Sequence, residues 1–207
     1  EKSAGDPMAG LTCYLFSADD VYLGQNQVIS GDGTVNFNLA DGSYRIRVDY
    51  LGYQYWTDDF SIPATSAGNL VIAHQDVTVT VAGDNNGDVL MKENIPVYLF
   101  TPDGAYMNHT AATDAAGQAV FNLPTKAYQI RADYLGREYW SDSFTAADAA
   151  ITIPEGIAAV TVTQAADLLE NARVCVFSTT DAYLGLSAAT DADGRVAFRL
   201  PAGTYQF

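Results

Sequence analysis

The chain repeats itself, and the repeat limits what it can fold into. The tripeptide YLF at Tyr14–Phe16 returns at Tyr98–Phe100, and CVF follows at Cys175–Phe177. Phe37, Phe121 and Phe198 keep the same spacing, as do Leu39, Leu123 and Leu200, and Tyr44, Tyr128 and Tyr205. The first offset is 84 residues (Phe16 to Phe100) and the second is 77 (Phe100 to Phe177). Most of the difference lies before the YLF and CVF copies. GDNNGDVLMKEN (Gly83–Asn94) leads into the second YLF and the shorter AADLLENA (Ala165–Ala172) leads into CVF. A length change at one point of a repeat marks a surface loop. A chain of 207 residues divided this way predicts three small units: 1–76, 77–156 and 157–207.

Each copy reads as β-strands. Val35, Phe37 and Leu39 alternate with Asn36 and Asn38; Ala119, Phe121 and Leu123 repeat the pattern, and so do Val196, Phe198 and Leu200. This period of two puts one face inside and one in water. Tyr44, Ile46, Val48 and Tyr50 predict a second strand, and the β-branched runs at Val77–Val81 (VTVTV) and Val160–Thr163 (VTVT) predict further ones. Turn sequences beginning at Ser30 (SGDG), Asp114 (DAAG) and Asp191 (DADG) separate them. No segment carries a convincing helical period. The expectation is all-β: a tandem array of Ig-like or transthyretin-like antiparallel β-sandwiches. Leu11, Cys13 and Leu15 face the core by analogy with Ile95, Val97 and Leu99, while Cys175 falls on the opposite strand face in another copy. No disulfide is expected between the two cysteines.

Composition narrows the function. Against 25 acidic residues stand 10 basic ones, a net charge of -15, which excludes a phosphate-binding surface and an anionic membrane as partners. No apolar run approaches a membrane span. Catalysis has no visible machinery. His74 and His109 occupy unrepeated positions and read as surface residues, and neither a phosphate loop nor a zinc-type spacing is present. Asp84, Asn86 and Asp88 have the alternate spacing of an oxygen-ligand loop, which would take calcium. Val89 and Ile95 stand where such a loop needs Gly and Glu, so an Asx/Gly turn is the simpler reading. Asn108-His109-Thr110 is a glycosylation sequon.

One phrase is written twice, DYLGYQYWTDDF at Asp49–Phe60 and DYLGREYWSDSF at Asp133–Phe144. With Leu51-Gly52 as a two-residue turn of type II, Tyr50 faces Tyr53, Val48 faces Tyr55, Arg47 faces Trp56 and Arg45 faces Asp58. In the second copy Tyr134 faces Arg137, Ala132 faces Tyr139, Arg131 faces Trp140 and Gln129 faces Asp142. Val48 and Tyr55 point inward. The Arg–Trp pairs point outward, each contributing about 0.5–1 kcal/mol if stacked. Phe60 would fall on Trp56's side, which implies a bulge beyond Thr57. Trp56, Tyr53, Trp140, Arg47 and Arg131 are therefore the candidate contact residues, for a glycan or for a neighbouring repeat.

The stretch TDAAGQAVFNLPTKAYQIRADYLG (Thr113–Gly136) resembles the carboxypeptidase regulatory-like and collagen-adhesin B-type domains of bacterial or archaeal surface proteins. Thr190–Phe207 and Gly31–Ile46 carry the same motif. The resemblance implies a transthyretin-like sandwich that serves as a spacer, stalk, adhesin segment or enzyme appendage. B-type domains often hold a Lys–Asn isopeptide bond beside a Glu. Here the opening strands have no Lys, the only lysines are Lys2, Lys92 and Lys126, and Arg stands where Glu is usual, so none is expected.

The first copy has no VTVTV-type strand before Gly10, and the third stops at TYQF. The expectation is a piece of a longer tandem protein, with strand donation between neighbouring molecules as the alternative. Taken together, the chain reads as a non-enzymatic structural segment of an extracellular or cell-surface protein, partnered by neighbouring repeats or copies of itself. The alternatives are a glycan-binding or calcium-stabilised adhesin stalk and an accessory segment of a secreted enzyme.

Overall fold

The computed structural model describes residues 1–3, 5–64, 68–145 and 147–207. Among these the chain is all-β, with no helix. Contacts gather it into two compact units, Glu1–Asp76 with Asn122–Lys126, and Val77–Phe121 with Ala127–Phe207.

The first unit is built on β1 (Thr12–Ser17), β2 (Tyr22–Val28), β3 (Gly42–Tyr50), β4 (Tyr53–Trp56) and β5 (Phe60–Ile62). They form one antiparallel sheet in the order β2-β1-β3-β4, with β5 also beside β3. Met8, Cys13, Val48 and Ile72 are buried together, and Leu11, Ile29, Val35, Phe37 and Ile46 pack against them half-buried.

The repeated phrase forms the expected hairpin. Tyr50 pairs with Tyr53, Val48 with Tyr55 and Arg47 with Trp56. The turn is not type II. Leu51 (φ 47°) and Gly52 (φ 71°) are both left-handed, which makes it type I′, as Leu135 (48°) and Gly136 (73°) are in the second copy. Type I′ matches the right-handed twist of the flanking strands, at the cost of a left-handed Leu. The expected pairs Arg45–Asp58 and Gln129–Asp142 do not form. The chain leaves the ladder at Thr57, whose Oγ1 accepts the Ile46 amide at 2.9 Å while its own amide donates to the Ile46 carbonyl. Ser141 does the same for Ile130. The register has stepped by one residue where Tyr44 meets Phe60, as the sequence implied.

The strand expected at Val35–Leu39 is absent. Its alternation survives as burial, with Val35, Phe37 and Leu39 half-buried and Asn36 and Asn38 exposed, but no strand among the described residues lies beside it. An extended segment without a ladder partner has nowhere to place its backbone hydrogen bonds except water.

The second copy of this segment does have a ladder partner. The strands that follow are β6 (His74–Asn85), β7 (Asp88–Met91), β8 (Pro96–Phe100), β9 (Tyr106–Ala112) and β10 (Gln118–Pro124), the first residues of β6 and the last of β10 being counted in the first unit. They are followed by β11 (Ala127–Tyr134), β12 (Arg137–Trp140), β13 (Phe144–Thr145) and β14 (Ala149–Thr161). One sheet runs β10-β6-β14-β19 with β7 beside β6, where β19 is Arg195–Pro201. The other runs β12-β11-β8-β9, with β13 also beside β11. β15 (Thr163–Gln164) with β16 (Asp167–Leu168), and β17 (Arg173–Phe177) with β18 (Tyr183–Ala189), are two-stranded. Val77, Val79, Val81, Val97, Leu99, Leu123 and Ile130 are fully enclosed. Val174, Val176, Phe198 and Leu200 form a further core cluster with Ala158 and Val160 packed on it.

One pairing departs from the antiparallel expectation. β14 runs parallel to β6 from Ala149 to Pro154, then antiparallel to β19 from Glu155 to Thr161. The strand is unbroken, so one segment serves two ladders in succession.

Candidate functional site

The outward face of the hairpins carries most of the residues singled out from sequence. In the first unit the Arg47 guanidinium lies 4.9 Å from the Tyr14 ring centre, 5.2 Å from Phe16 and 5.8 Å from Trp56. Asp49 holds it through two contacts, 2.9 and 3.0 Å. The cation closest to Trp56 is Arg45, at 4.4 Å, itself paired with Asp20 at 2.5 Å. Phe16 closes on Trp56 edge-on at 4.8 Å. In the second unit Arg131 lies over Tyr98, Phe100 and Trp140 at 4.8, 5.4 and 5.9 Å, held by Asp133 and Glu138. Position 129 is Gln where position 45 is Arg, so Trp140 has no counterpart of the Arg45 contact. Trp140 is 44% exposed, whereas Trp56 is half-buried. The expected Arg–Trp partnership is therefore a wider cluster in which Arg47 and Arg131 sit nearest a tyrosine. Tyr53 faces Lys126, whose Nζ is 5.5 Å from its ring and 5.2 Å from that of Tyr55, all within the first unit. Burial pushes the Tyr55 phenol up to about 12.

Asp84, Asn86 and Asp88 lie on the β6–β7 hairpin. Asn86 (φ 53°) and Gly87 (φ 91°) are its two central residues, so this is an Asn-Gly type I′ turn. The Asp84 carboxylate accepts the Gly87 amide at 2.7 Å, and Asp88 is 2.7 Å from Arg199. Among the described residues no three His, Cys, Asp or Glu side chains gather as metal donors do. Asn108 is exposed on β9, as is His109. Cys13 is buried and Cys175 half-buried, and both are free. Burial pushes the Cys13 thiol pKa up.

Sequence reading missed the most heavily charged place in the second unit. At the point where β14 passes from one ladder to the next, the Glu155 side chain is 0% exposed. Its two oxygens are taken by Lys92 Nζ at 2.6 Å and Arg199 Nε at 2.6 Å. Lys92 is itself only 7% exposed and lies 5.1 Å from the Tyr134 ring. Arg199 also donates to the Gly83 carbonyl at 3.1 Å and to the Asp88 carbonyl. Gly83 makes room, since a Cβ there would run into the Glu155 carboxylate and the Lys92 chain. A glycine inside an otherwise β-branched strand was the available signal for such a close approach.

The equivalent place in the first unit holds a histidine in place of the buried carboxylate. Val81 and Val162 each donate to the turn glycine, Gly117 or Gly194, at 2.8 Å. Counting back along each strand sets His74 opposite Glu155, and the repeat sets Tyr50 opposite Tyr134. His74 is half-buried rather than on the surface. Its Nδ1 lies 2.6 Å from the Ile72 carbonyl and its Nε2 lies 3.4 Å from the Tyr50 hydroxyl. Burial pulls its pKa down.

Behind the Val35–Leu39 segment the first unit also holds an open cavity of about 440 Å³, walled by Leu11, Cys13, Phe37, Leu39, Ile46 and Val48 among others.

No protein-family model matches the chain, and no curated protein matches it. Solved structures of similar fold include the minor pilin GBS52 of Streptococcus agalactiae, at 13% identity over 72% of this chain and 83% of that one, TM-score 0.42. A streptococcal ancillary pilin matches at 14% identity over 98% and 84%, TM-score 0.30. The shaft pilin spaA of Lactobacillus rhamnosus GG matches at 12% over 71% and 88%, TM-score 0.30. These likenesses are of general shape, and function is read below from the chain's own geometry.

Proposed function

We infer that the chain is a non-enzymatic structural segment of an extracellular surface, stalk or filament protein, with sandwich repeats at 1–76, 77–156 and 157–207. The observation that carries this reading is β14. It passes from the β6 ladder to the β19 ladder without a linker, and the Lys92–Glu155–Arg199 cluster clamps it at the crossing. A strand shared by two ladders couples the elements on either side, which suits a module that transmits load or holds a spacing. Neighbouring repeats or further copies of the chain are the partners such a module implies.

The glycan reading has weaker support. Trp56 is held between Arg45 and Phe16, and Trp140 rests against Phe100, so neither ring offers both faces to a sugar. Calcium likewise has little to recommend it at a loop whose Asp84 and Asp88 already have partners.

Thermal unfolding of the second unit tests the structural reading. The elements on either side of Glu155 unfold in one transition, and Glu155→Ala separates it into two. Two independent transitions within the second unit of the unaltered chain would remove the observation on which the reading stands.

A further inference from the structure

The same bulge interrupts the same strand in each copy of the repeat. Tyr14 pairs with Asn26 and Phe16 with Tyr22, so Leu15 alone faces three residues of β2. Leu99 of β8 faces three residues of β9 in the same way, and Val176 of β17 faces three of β18. The middle residues of these bulges are Gly24, Asn108 and Gly185, left-handed at φ 73°, 57° and 80°. Glycine is the ordinary occupant of such a backbone, and asparagine is among the few residues with a side chain that tolerate it. A Cβ at Gly24 or Gly185 would meet nothing within 4 Å, so the bulge aims whatever stands there into open space. Asn108 is exposed at this position, together with His109 and Thr110. β9 ends the order β12-β11-β8-β9, so its outer edge pairs with no strand among the described residues. No other asparagine of the chain begins an Asn-X-Ser/Thr triplet.

We propose that Asn108 is the attachment point of an N-linked saccharide. The donor is a saccharide carried on a lipid pyrophosphate. The side-chain nitrogen of Asn108 bonds to the anomeric carbon of that saccharide. The bond from this carbon to the pyrophosphate oxygen breaks, and the lipid pyrophosphate leaves with its electron pair. One proton of the amide passes to a base of the transferring enzyme, and nothing is oxidised or reduced. Thr110, two residues on, completes the acceptor triplet. The bulge accounts for the site being reachable, since it lifts Asn108 out of the ladder while the strand on either side stays paired with β8. The saccharide, bulky and solubilising, then stands beside the open edge of β9, where unpaired N–H and C=O groups would otherwise invite another strand. The inference rests on the surface-segment reading, because the triplet is an acceptor in chains that are secreted.

The test uses the protein recovered from the surface of the cells that make it. Trypsin releases Glu93–Lys126 as one peptide, and mass spectrometry should find it heavier than its sequence by whole saccharide residues. Release of the saccharide by an asparagine amidase in heavy-oxygen water should leave Asp carrying the label at position 108. In the same host Asn108→Gly, which installs the residue of the other two bulges and so keeps the fold, abolishes the gain in mass. Thr110→Ala abolishes it as well, and Thr110→Ser retains it. An unmodified Asn108 in the surface-recovered protein overturns the proposal and leaves the surface-segment reading standing. A gain in mass that survives Asn108→Gly places the modification elsewhere and also overturns it. A protein found only inside the cells, with Asn108 unmodified, overturns both.

Discussion

In the first unit Val35, Phe37 and Leu39 stand half-buried in a segment that forms no strand. In the second copy of the repeat Ala119, Phe121 and Leu123, at the same spacing, are closed over inside β10. The alternation, the flanking turn and the strand that follows are alike. What differs is the neighbour, because β6 lies beside β10 and no strand among the described residues pairs with 35–39. Period-two patterning decides which face of a segment is apolar. Only a second backbone turns that segment into a strand, since its amides need partners that side chains do not provide. A second contrast runs along the same line. Where the second unit has Glu155 between Lys92 and Arg199, the first has His74 against Tyr50.

These contrasts can be broken by substitution. The largest effect is expected at Glu155. Glu155→Ala leaves Lys92 and Arg199 without their shared carboxylate and costs the second unit about 3–5 kcal/mol, the range for an uncompensated buried charge. Denaturant unfolding followed by Trp140 fluorescence in a Trp56→Phe background measures it, and a loss below about 1 kcal/mol would mean the cluster is solvated. Phe121→Ala comes next, at about 3–5 kcal/mol for a closed core position. Phe37→Ala costs no more than about half as much, because less of its surface leaves water. Equal losses, with Trp56 and Trp140 as the respective reporters, would erase the distinction between the two cores.

A smaller effect separates the units by pH. His74 is held below its ordinary pKa by burial, so the unfolded chain takes up the proton first as pH falls. Its contribution is complete above about pH 6.5 and is lost progressively below that. The first unit should unfold at lower denaturant at pH 5 than at pH 7.5, and His74→Phe should flatten the difference. An unchanged slope in that variant would assign the pH dependence to other groups. The smallest effect is at the hairpin. Trp140→Ala should cost about 1 kcal/mol, the value of an exposed ring with one aromatic and one cationic neighbour. Trp56→Ala should cost more, because Arg45 also lies over that ring.

Much of the fold was legible because the chain states it more than once. The hairpin register at Arg47–Trp56 and Arg131–Trp140 followed from turn position and alternation alone. The type of that turn did not, because Leu51 is a poor left-handed residue and only strand twist explains its φ. The strand at Val35–Leu39 was misread because a pattern carries no information about its neighbour. Of the candidate contact residues, the sequence found Arg47, Arg131, Trp56 and Trp140 but not the extra cation at Arg45. It missed Glu155, Lys92 and Arg199 because they come from three separate strands and loops. None of them is repeated, and only Gly83 hinted at a close approach.

The central claim is that the same alternating sequence becomes a strand only where a partner backbone lies beside it. Hydrogen exchange of the amides of 36–39 and 120–123 in the unaltered chain tests it most directly. The account predicts that the second set exchanges only through unfolding of its unit, while the first exchanges at rates close to those of an open segment. Equal, strong protection of both sets would contradict it.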